Sequence, residues 1–242
     1  MPYDTTTGLQ LWAPFESSVV DISGNARNGT AVASPTYATP GRIGSSIILN
    51  GSTQYVTFPA LGIDNVSLCS LDFWIRIGTA TAFSMPFSHG ATDNARLEVF
   101  LDAAGTGIYC NCTQSANVSL EGRAASSVPL TATWYNIAVV LDWTALTSAT
   151  RMRIWVNGVQ KVLTFTVGSS GAPTATPNIA ASNTTIGRRF YAGNLQFAGQ
   201  VDEVRVYNTI LSAGAIGDLA MVSGSAGLTK SGIKLTSLGL YE

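Results

Sequence analysis

Apolar and polar residues alternate along most of the chain, which is the pattern of half-buried β-strands. The first clear case is Leu9–Phe15, where Leu9, Leu11, Ala13 and Phe15 fall on one face. Similar runs recur about every 8–12 residues with turn-forming residues between them, a spacing typical of sandwiches and barrels. The sequence therefore predicts an all-β fold in which two antiparallel sheets pack face to face.

Two tight turns are predicted between the remaining strands, and one short helix is predicted after the last strand. Asn-Gly pairs at Asn50–Gly51 and Asn157–Gly158 each predict a β-hairpin. Helical spacing is confined to 213–221, with Ser212 as the N-cap. The Gly-, Pro-, Ser- and Thr-rich segment 168–183 is predicted to be a loop. The other predicted strands are 45–51, 54–59, 66–78, 95–102, 133–143, 151–167, 184–189 and 199–207.

The chain divides into one large domain, residues 1–222, and a tail, residues 223–242. The tail begins with Gly and Ser and then alternates Ile233, Leu235, Leu238 and Leu240. It is either a frayed end or a strand folded back on the domain, or an arm that docks on a partner chain by strand addition.

Charged residues make up only 11 % of the chain and hydrophobic residues 46 %, whereas an ordinary domain is roughly 25 % charged. With 13 Lys and Arg and a net charge of −1, we expect no nucleic-acid partner, because such binding rests on phosphate neutralisation. No polybasic run and no apolar stretch of about 20 residues is present, so we expect no membrane insertion. The N-terminal residues also lack the pattern of a signal peptide, which favours folding in a cytoplasm.

The three cysteines are predicted to be buried free thiols, because three cysteines give no paired disulfide framework. The alternative is a disulfide from Cys69 to Cys110 or Cys112 across a sheet. His89 is the single histidine, too few ligands for zinc, and we expect it in a loop or at a sheet edge.

An ordered series of motifs points to a known family. "LWAPFESSVVDISGNARNGTA" and "GRIGSSIILNGSTQYVTFP" are followed by "LDFWIRI", "WYNIAVVLD", "RMRIWVNGVQK", "TTIGRR" and "FAGQVDEVRVYNTILSAGAI". Over roughly Leu9 to Leu219 the chain resembles the laminin-G-like, concanavalin A-like lectin jelly-roll domains. The resemblance implies a two-sheet sandwich of a dozen or more strands that binds glycans or proteins without catalysis, often with a calcium ion.

The resemblance also implies a location for one structural calcium ion. In such domains an acid of the last strand motif, here Asp202, meets an acidic turn near the N terminus, here Asp21 of "DISGNARNG". Asn25, Asn28 and Gly29 would supply further side-chain or backbone oxygens, in keeping with the six to eight oxygen ligands of calcium.

The same acids have a simpler interpretation. Asp21 would then close an Asx-turn within its own loop. Asp202 and Glu203 would point to opposite faces of their strand, one of them outward and the other paired with Arg205 or Arg188. These alternatives stay open on the sequence alone.

We expect no catalysis. Glycosidases on this fold need two facing carboxylates, about 5–5.5 Å or 6.5–9.5 Å apart, and the "E-x-D-x-x-E" run that would supply them is absent. Glu98 and Asp102 lie four residues apart on one predicted strand, roughly 13 Å at the rise of a strand, and are expected to face solvent. His89 lacks the Gly-x-Ser-x-Gly elbow of a nucleophile triad.

Carbohydrate sites on β-sandwiches combine an exposed aromatic ring with amide or carboxylate groups. The candidate ligand-binding residues in predicted loops are Tyr37, Asn94, Trp143, Tyr191 and Asn194.

Three functions fit these features. The first is a phage virion surface protein, such as a capsid decoration or a tail or fibre protein, that contacts other virion proteins and host glycans. The second is a secreted or cell-surface calcium-dependent carbohydrate-binding or adhesion module. The third, disfavoured by the missing acid pair, is a glycoside hydrolase on the same fold. Few charges and no signal peptide favour the virion.

Overall fold

The computed structural model describes residues 5–128, 131–179, 184–191 and 195–221, and β-strands dominate this part of the chain. The predicted tail 223–242 lies outside the described residues. In chain order the elements are β1 (Leu9–Ala13), β2 (Thr30–Val32), β3 (Thr36–Ala38), β4 (Ser46–Asn50), β5 (Tyr55–Phe58), β6 (Leu68–Ile77), β7 (Phe87–Thr92), β8 (Ala95–Leu101), β9 (Ile108–Ser115), β10 (Val118–Ala124), β11 (Trp134–Asp142), α1 (Ser148–Arg151), β12 (Met152–Val156), β13 (Val159–Gln160), β14 (Thr164–Val167), β15 (Thr184–Ile186), β16 (Ala198–Tyr207) and α2 (Ala213–Met221).

The described strands form two antiparallel sheets of eight. Sheet A has the order β13-β12-β11-β6-β16-β4-β3, with β1 also paired to β16, and sheet B has the order β14-β10-β9-β8-β7-β15-β5-β2. Some neighbours in a sheet are far apart in sequence, as when the last strand β16 lies between β6 and β4. The predicted all-β jelly-roll sandwich, with a short helix near the C terminus, is confirmed.

Alternation along each strand builds the core between the sheets. On β6 the side chains of Cys69, Leu71, Phe73 and Ile75 are buried in it. The ring of Phe73 stacks at 6.4 Å between centroids on that of Phe87 from sheet B. The residues between them, such as Asp72, occupy the opposite face of β6, which we call the outer face of sheet A.

Of the two predicted hairpins, one is confirmed and one is wrong. Asn157 and Gly158 both have positive φ and join β12 to β13 in a two-residue turn. After Asn50–Gly51 the chain instead leaves sheet A and enters sheet B, so that β4 and β5 are not paired. The carboxamide oxygen of Asn50 accepts hydrogen bonds from three successive backbone N–H groups of this crossing.

Helix α2 covers part of the outer face of sheet A. Its predicted cap is present, because the Ser212 hydroxyl accepts a hydrogen bond from the N–H of Ala215 at 3.1 Å. Its buried residues Ile216 and Leu219 pack in a second apolar cluster with Tyr207 and Trp155. No helix among the described residues is long and apolar enough to cross a membrane.

The three cysteines are free and buried in the core, as predicted, and the alternative disulfide is absent. His89 departs from expectation. It lies on β7 within sheet B rather than in a loop. Its side chain is fully buried because His89 is paired with Leu97, which faces the core.

Candidate ligand-binding surface

The face of sheet B that points away from the core carries a row of polar side chains. Antiparallel register places Glu98 of β8 opposite Asn111 of β9, and Asn111 opposite Glu121 of β10. The Asn111 amide donates to Glu121 at 3.5 Å, and the Asn111 carbonyl oxygen accepts from Arg96. This outer face of sheet B is therefore a hydrogen-bonded polar surface.

Glu98 is held in this row by arginines. It is only 1 % exposed, and the guanidinium of Arg189 donates to both of its carboxylate oxygens, at 3.0 and 3.1 Å. Arg96 adds an ion pair at 3.6 Å. Burial raises the pKa of Glu98, while the two arginines oppose that shift. The expectation that Glu98 faces solvent is thus wrong, and so is that for Asp102, which is buried and accepts a hydrogen bond from the N–H of Thr106.

Tyr191 closes one end of the row. Its hydroxyl donates to Asp93 at 2.7 Å and accepts from Arg96 at 2.9 Å, and the guanidinium of Arg189 lies 5.3 Å from its ring. Burial, followed by the hydrogen bond to Asp93, raises the pKa of Tyr191 to about 12. Asn94 is exposed in the turn that also holds Asp93. The structure therefore brings Asn94 and Tyr191, predicted from different loops, to one place.

Two further tyrosines of this face are paired with arginines in the same way. Arg123 lies 5.3 Å from the ring of Tyr109, and Arg188 lies 3.6 Å from the ring of Tyr55. Sequence reasoning did not place these arginines in the site, because Arg96 and Arg188 meet tyrosines distant along the chain, whereas only Arg189 lies close in sequence to its partner Tyr191. The only available signal was the "GRRFY" run that ends at Tyr191.

The other predicted ligand residues lie elsewhere. Trp143 is 4 % exposed and belongs to the core, so its ring is not a surface for stacking. Tyr37 lies on β3 at the edge of sheet A and packs partly against the core, where burial raises the pKa of its hydroxyl. Asn194 lies outside the described residues.

The turn "DISGNARNG" is fastened to β1. The buried carboxylate of Asp21 accepts hydrogen bonds from the N–H groups of Trp12, Ser23 and Arg27 at 2.8–3.0 Å. The side chain of Asn25 donates to the carbonyl of Leu9. These contacts include the Asx-turn that was the simpler interpretation of Asp21.

Two further predicted ligands complete the turn. Asn28 accepts a hydrogen bond from the N–H of Asp21, and the N–H of Gly29 donates to the carbonyl of Val19. Four of the five predicted calcium ligands therefore lie together in this turn.

Asp202 and Glu203 do not alternate, because β16 bulges between Asp202 and Arg205. Glu203 takes a positive φ of 56° there. Both acids are fully buried. Glu203 pairs with Arg205 and accepts from the Trp12 indole at 2.9 Å, which matches one of the two pairings considered above.

The fifth predicted calcium ligand binds a different segment. One oxygen of Asp202 accepts from the backbone N–H groups of Arg42 and Ile43 at 2.8 and 3.0 Å. Calcium at Asp21 would have to replace hydrogen bonds that its carboxylate already accepts from N–H donors, and no cluster of three acidic, His or Cys ligands occurs in the described part of the chain. In this structure the carboxylates of Asp21 and Asp202 accept from N–H donors, and the calcium ion stays a prediction.

His89 bridges two other groups. Its Nδ1 lies 2.8 Å from the Thr184 hydroxyl and its Nε2 lies 3.4 Å from an oxygen of Asp64. The residue types are those of a nucleophile triad, but the separation from Nε2 to Asp64 is longer than the hydrogen bond that a triad needs, and Thr184 and His89 are fully buried. The cluster therefore fastens the loop of Asp64 to sheet B.

Solved structures share this architecture. Domain 4 of a GH43 extracellular arabinanase, AbnA from Geobacillus stearothermophilus, solved with arabinotriose, superposes with a TM-score of 0.68 at 23 % identity, covering 88 % of this chain and 98 % of that one. The binding domain of Paraclostridial Mosquitocidal Protein 1 has a TM-score of 0.64 at 12 % identity over 88 % of this chain. The botulinum neurotoxin serotype G binding domain has a TM-score of 0.63 at 14 % identity over 88 %. The chain spans about half of each toxin domain, 52 % and 50 % respectively.

Among curated proteins none matches the chain in sequence. A family model does match, over residues 50–217, which contain most strands of both sheets. The chain therefore belongs to the concanavalin A-like lectin/glucanases superfamily.

Proposed function

We propose that the protein is a non-catalytic carbohydrate-binding module whose ligand lies on the outer face of sheet B. The observation that carries this proposal is the row of tyrosine–arginine pairs beside the amide of Asn111 and the carboxylate of Glu121. Tyrosine offers an apolar ring to a sugar, while arginine, amide and carboxylate groups exchange hydrogen bonds with hydroxyls. The ion pairs hold these side chains in place before a ligand arrives, which lowers the entropy lost on binding.

The relatives in structure support this choice of ligand. The arabinanase domain was solved with arabinotriose, and a botulinum neurotoxin DC binding domain was solved in complex with SialylT. At these identities the likeness concerns the fold, so carbohydrate binding by this chain rests on its own surface.

The absence of catalysis is part of the proposal. Glu98 and Glu121 are the acids nearest to a catalytic pair on this face, separated by two strand spacings, roughly 9.5 Å between Cα atoms. Glu98 is buried with both oxygens bound by Arg189, and Glu121 accepts from Arg123. A general acid must reach the glycosidic oxygen, and Glu98 in this arrangement does not. Release of reducing sugar from an oligosaccharide would contradict this part of the proposal.

Replacing Tyr191 with Ala is expected to weaken oligosaccharide binding about tenfold, because it removes a ring and two hydrogen bonds at the end of the row. A glycan array that includes arabinotriose identifies a bound oligosaccharide, and calorimetry then measures its affinity for each variant. Tyr191→Phe keeps the ring and should lose less. Tyr37→Ala, on the edge of sheet A, is the matched control and should bind like the wild type. No binding to any glycan, or equal loss in Tyr37→Ala, would overturn the proposed site.

We further propose that the module belongs to a phage virion surface, where it contacts other virion proteins, with a secreted or cell-surface adhesion module as the alternative. The support is the surface chemistry, since only 11 % of the residues are charged and extensive protein contacts disfavour charge. Electron microscopy of native particles, with copy number measured by mass spectrometry, is expected to find the chain at symmetric positions. Recovery only as a free monomer in the medium would favour the alternative.

A further inference from the structure

An open depression of about 350 Å³ lies on the opposite side of the molecule, on the outer face of sheet A. It is formed where β4, β16 and β6 meet the segment before β11. Its main polar side chains are Arg76 and Gln200, and its apolar walls include Ile48, Ala132 and Ala198.

Two glycines line this depression. A Cβ atom on Gly199 would lie 2.3 Å from the carbonyl oxygen of Arg76, and one on Gly78 would lie 3.3 Å from the carbonyl oxygen of Ala198. At Gly199 the obstacle is backbone, which cannot move aside as a flexible side chain can. Close approach of β16 and β6 therefore requires glycine at position 199.

Arg76 is held in a fixed orientation with its terminal amino groups uncommitted. Its Nε donates to the carbonyl of Ala132 at 2.9 Å. Across the described residues no carboxylate comes within ion-pair distance of Arg76, whereas Arg96, Arg123, Arg189 and Arg205 are all ion-paired. A half-buried arginine anchored through Nε presents its two Nη groups as a bidentate donor for a carboxylate.

Two further charged residues, Arg42 and Asp202, lie near Arg76 on this face of sheet A. Arg42 lies 4.0 Å over the ring of Trp74 and adds a second positive charge. Trp74 is two residues before Arg76 and on the same face of β6. The carboxylate of Asp202 also belongs to this patch, but it is fully buried and accepts from the N–H groups of Arg42 and Ile43. The charge of Asp202 offsets that of Arg42, so the uncompensated positive charge at the depression is that of Arg76.

Four side chains lie in register across sheet A here, and three of them, Ile48, Gln200 and Arg76, line the depression. Gln200 lies between Ile48 and Arg76, and Arg76 is opposite Trp134. All four are half-buried. Arg76, which can donate hydrogen bonds to a carboxylate, is thus flanked by the amide of Gln200 and the ring of Trp134. The volume of the depression is within the range of small-molecule sites.

We infer that this depression binds a carboxylate-bearing sugar, with the carboxylate on Arg76, a hydroxyl on Gln200 and the sugar ring against the apolar wall at Ile48. The inference does not rest on the proposed function of sheet B, because the two surfaces belong to different sheets. The ligand class follows from the donors, since a neutral sugar would leave the arginine charge without a partner.

The test is calorimetric titration with sodium D-glucuronate, D-glucose and sodium acetate. We expect glucuronate to bind at least tenfold more tightly than glucose or acetate, because only glucuronate offers both the carboxylate and the ring. Arg76→Gln is expected to reduce glucuronate affinity at least tenfold, and Arg76→Lys to fall between the two, because lysine keeps the charge without the bidentate geometry.

Arg153→Gln is the matched control, because Arg153 lies over Trp155 on the same sheet but outside the depression. It should bind glucuronate like the wild type, as should Tyr191→Ala, so failure of the sheet B site leaves this result intact. Thermal melting of each variant checks that it is folded. Equal affinities for glucuronate and glucose, acetate binding as tightly as glucuronate, or unchanged binding in folded Arg76→Gln would overturn the inference.

Discussion

Replacing Arg205 with Ala is expected to lower the free energy of unfolding by about 3–5 kcal/mol, the usual cost of removing one partner from a buried ion pair. Arg205 is 5 % exposed and pairs with Glu203 and, at 3.6 Å, with Asp72, both of which are fully buried. Its guanidinium also lies 4.5 Å from the ring of Trp12. The substitution leaves two carboxylates in the interior without their cation. Chemical denaturation followed by fluorescence measures the loss.

The matched control for this loss is Arg153→Ala. Arg153 is half-buried over Trp155 and pairs with no carboxylate within the described chain, so its loss should cost about 1 kcal/mol. Combining Arg205→Met with Asp72→Asn and Glu203→Gln removes the charges together and should recover most of the stability. If Arg205→Ala cost no more than Arg153→Ala, the buried charges would have to be solvated in a way that the structure excludes.

The stability of the wild type relative to Asp72→Asn is expected to fall by about 3 kcal/mol as the pH rises from 3.8 through about 6. Burial raises the pKa of Asp72 to about 6, and Arg205 and the amide of Asn136 only partly offset it. The folded protein therefore binds more protons at Asp72 than the unfolded chain in this window. Stability that depends on this proton is complete at low pH and is lost as the carboxyl ionises.

Denaturation curves of both proteins at a series of pH values measure this difference. Using the difference between variant and wild type removes the contribution of the other titrating groups. Above pH 7 the difference should be constant, because Asp72 is ionised in both states. A difference that is flat between pH 4 and pH 6, or that rises, would show that Asp72 remains ionised in the folded protein.

The two-sheet fold could be predicted because alternation and turn spacing are local properties of the sequence. The error at Asn50–Gly51 has a physical cause. The dipeptide specifies a tight turn, but whether the next strand pairs with its predecessor depends on burial against strands such as β16, more than a hundred residues away. The bulge at Glu203 was unpredictable for a related reason, since an extra residue in a strand changes the face of each later side chain without altering composition.

The candidate sites were only partly predictable. Tyr191 and Asn94 could be chosen as polar or aromatic loop residues, but the contact of Tyr191 with Arg96 depends on how its loop lies against strand β8. Trp143 looked the same in sequence and is buried, because exposure of a ring depends on what packs over it. Nothing in the sequence indicated that Arg76 belongs to a site. Whether an arginine has a carboxylate partner becomes visible only when the fold has placed its neighbours.

The three core thiols have a consequence for handling the protein. Burial raises the pKa of Cys69 to about 12 and those of Cys110 and Cys112 well above their usual value, so almost no reactive thiolate forms at neutral pH. An alkylating reagent would label these sulfur atoms only in molecules whose two layers have separated. The three thiols are thus internal reporters of global unfolding. Mass spectrometry of the alkylated protein would measure the rate of that unfolding without an engineered label.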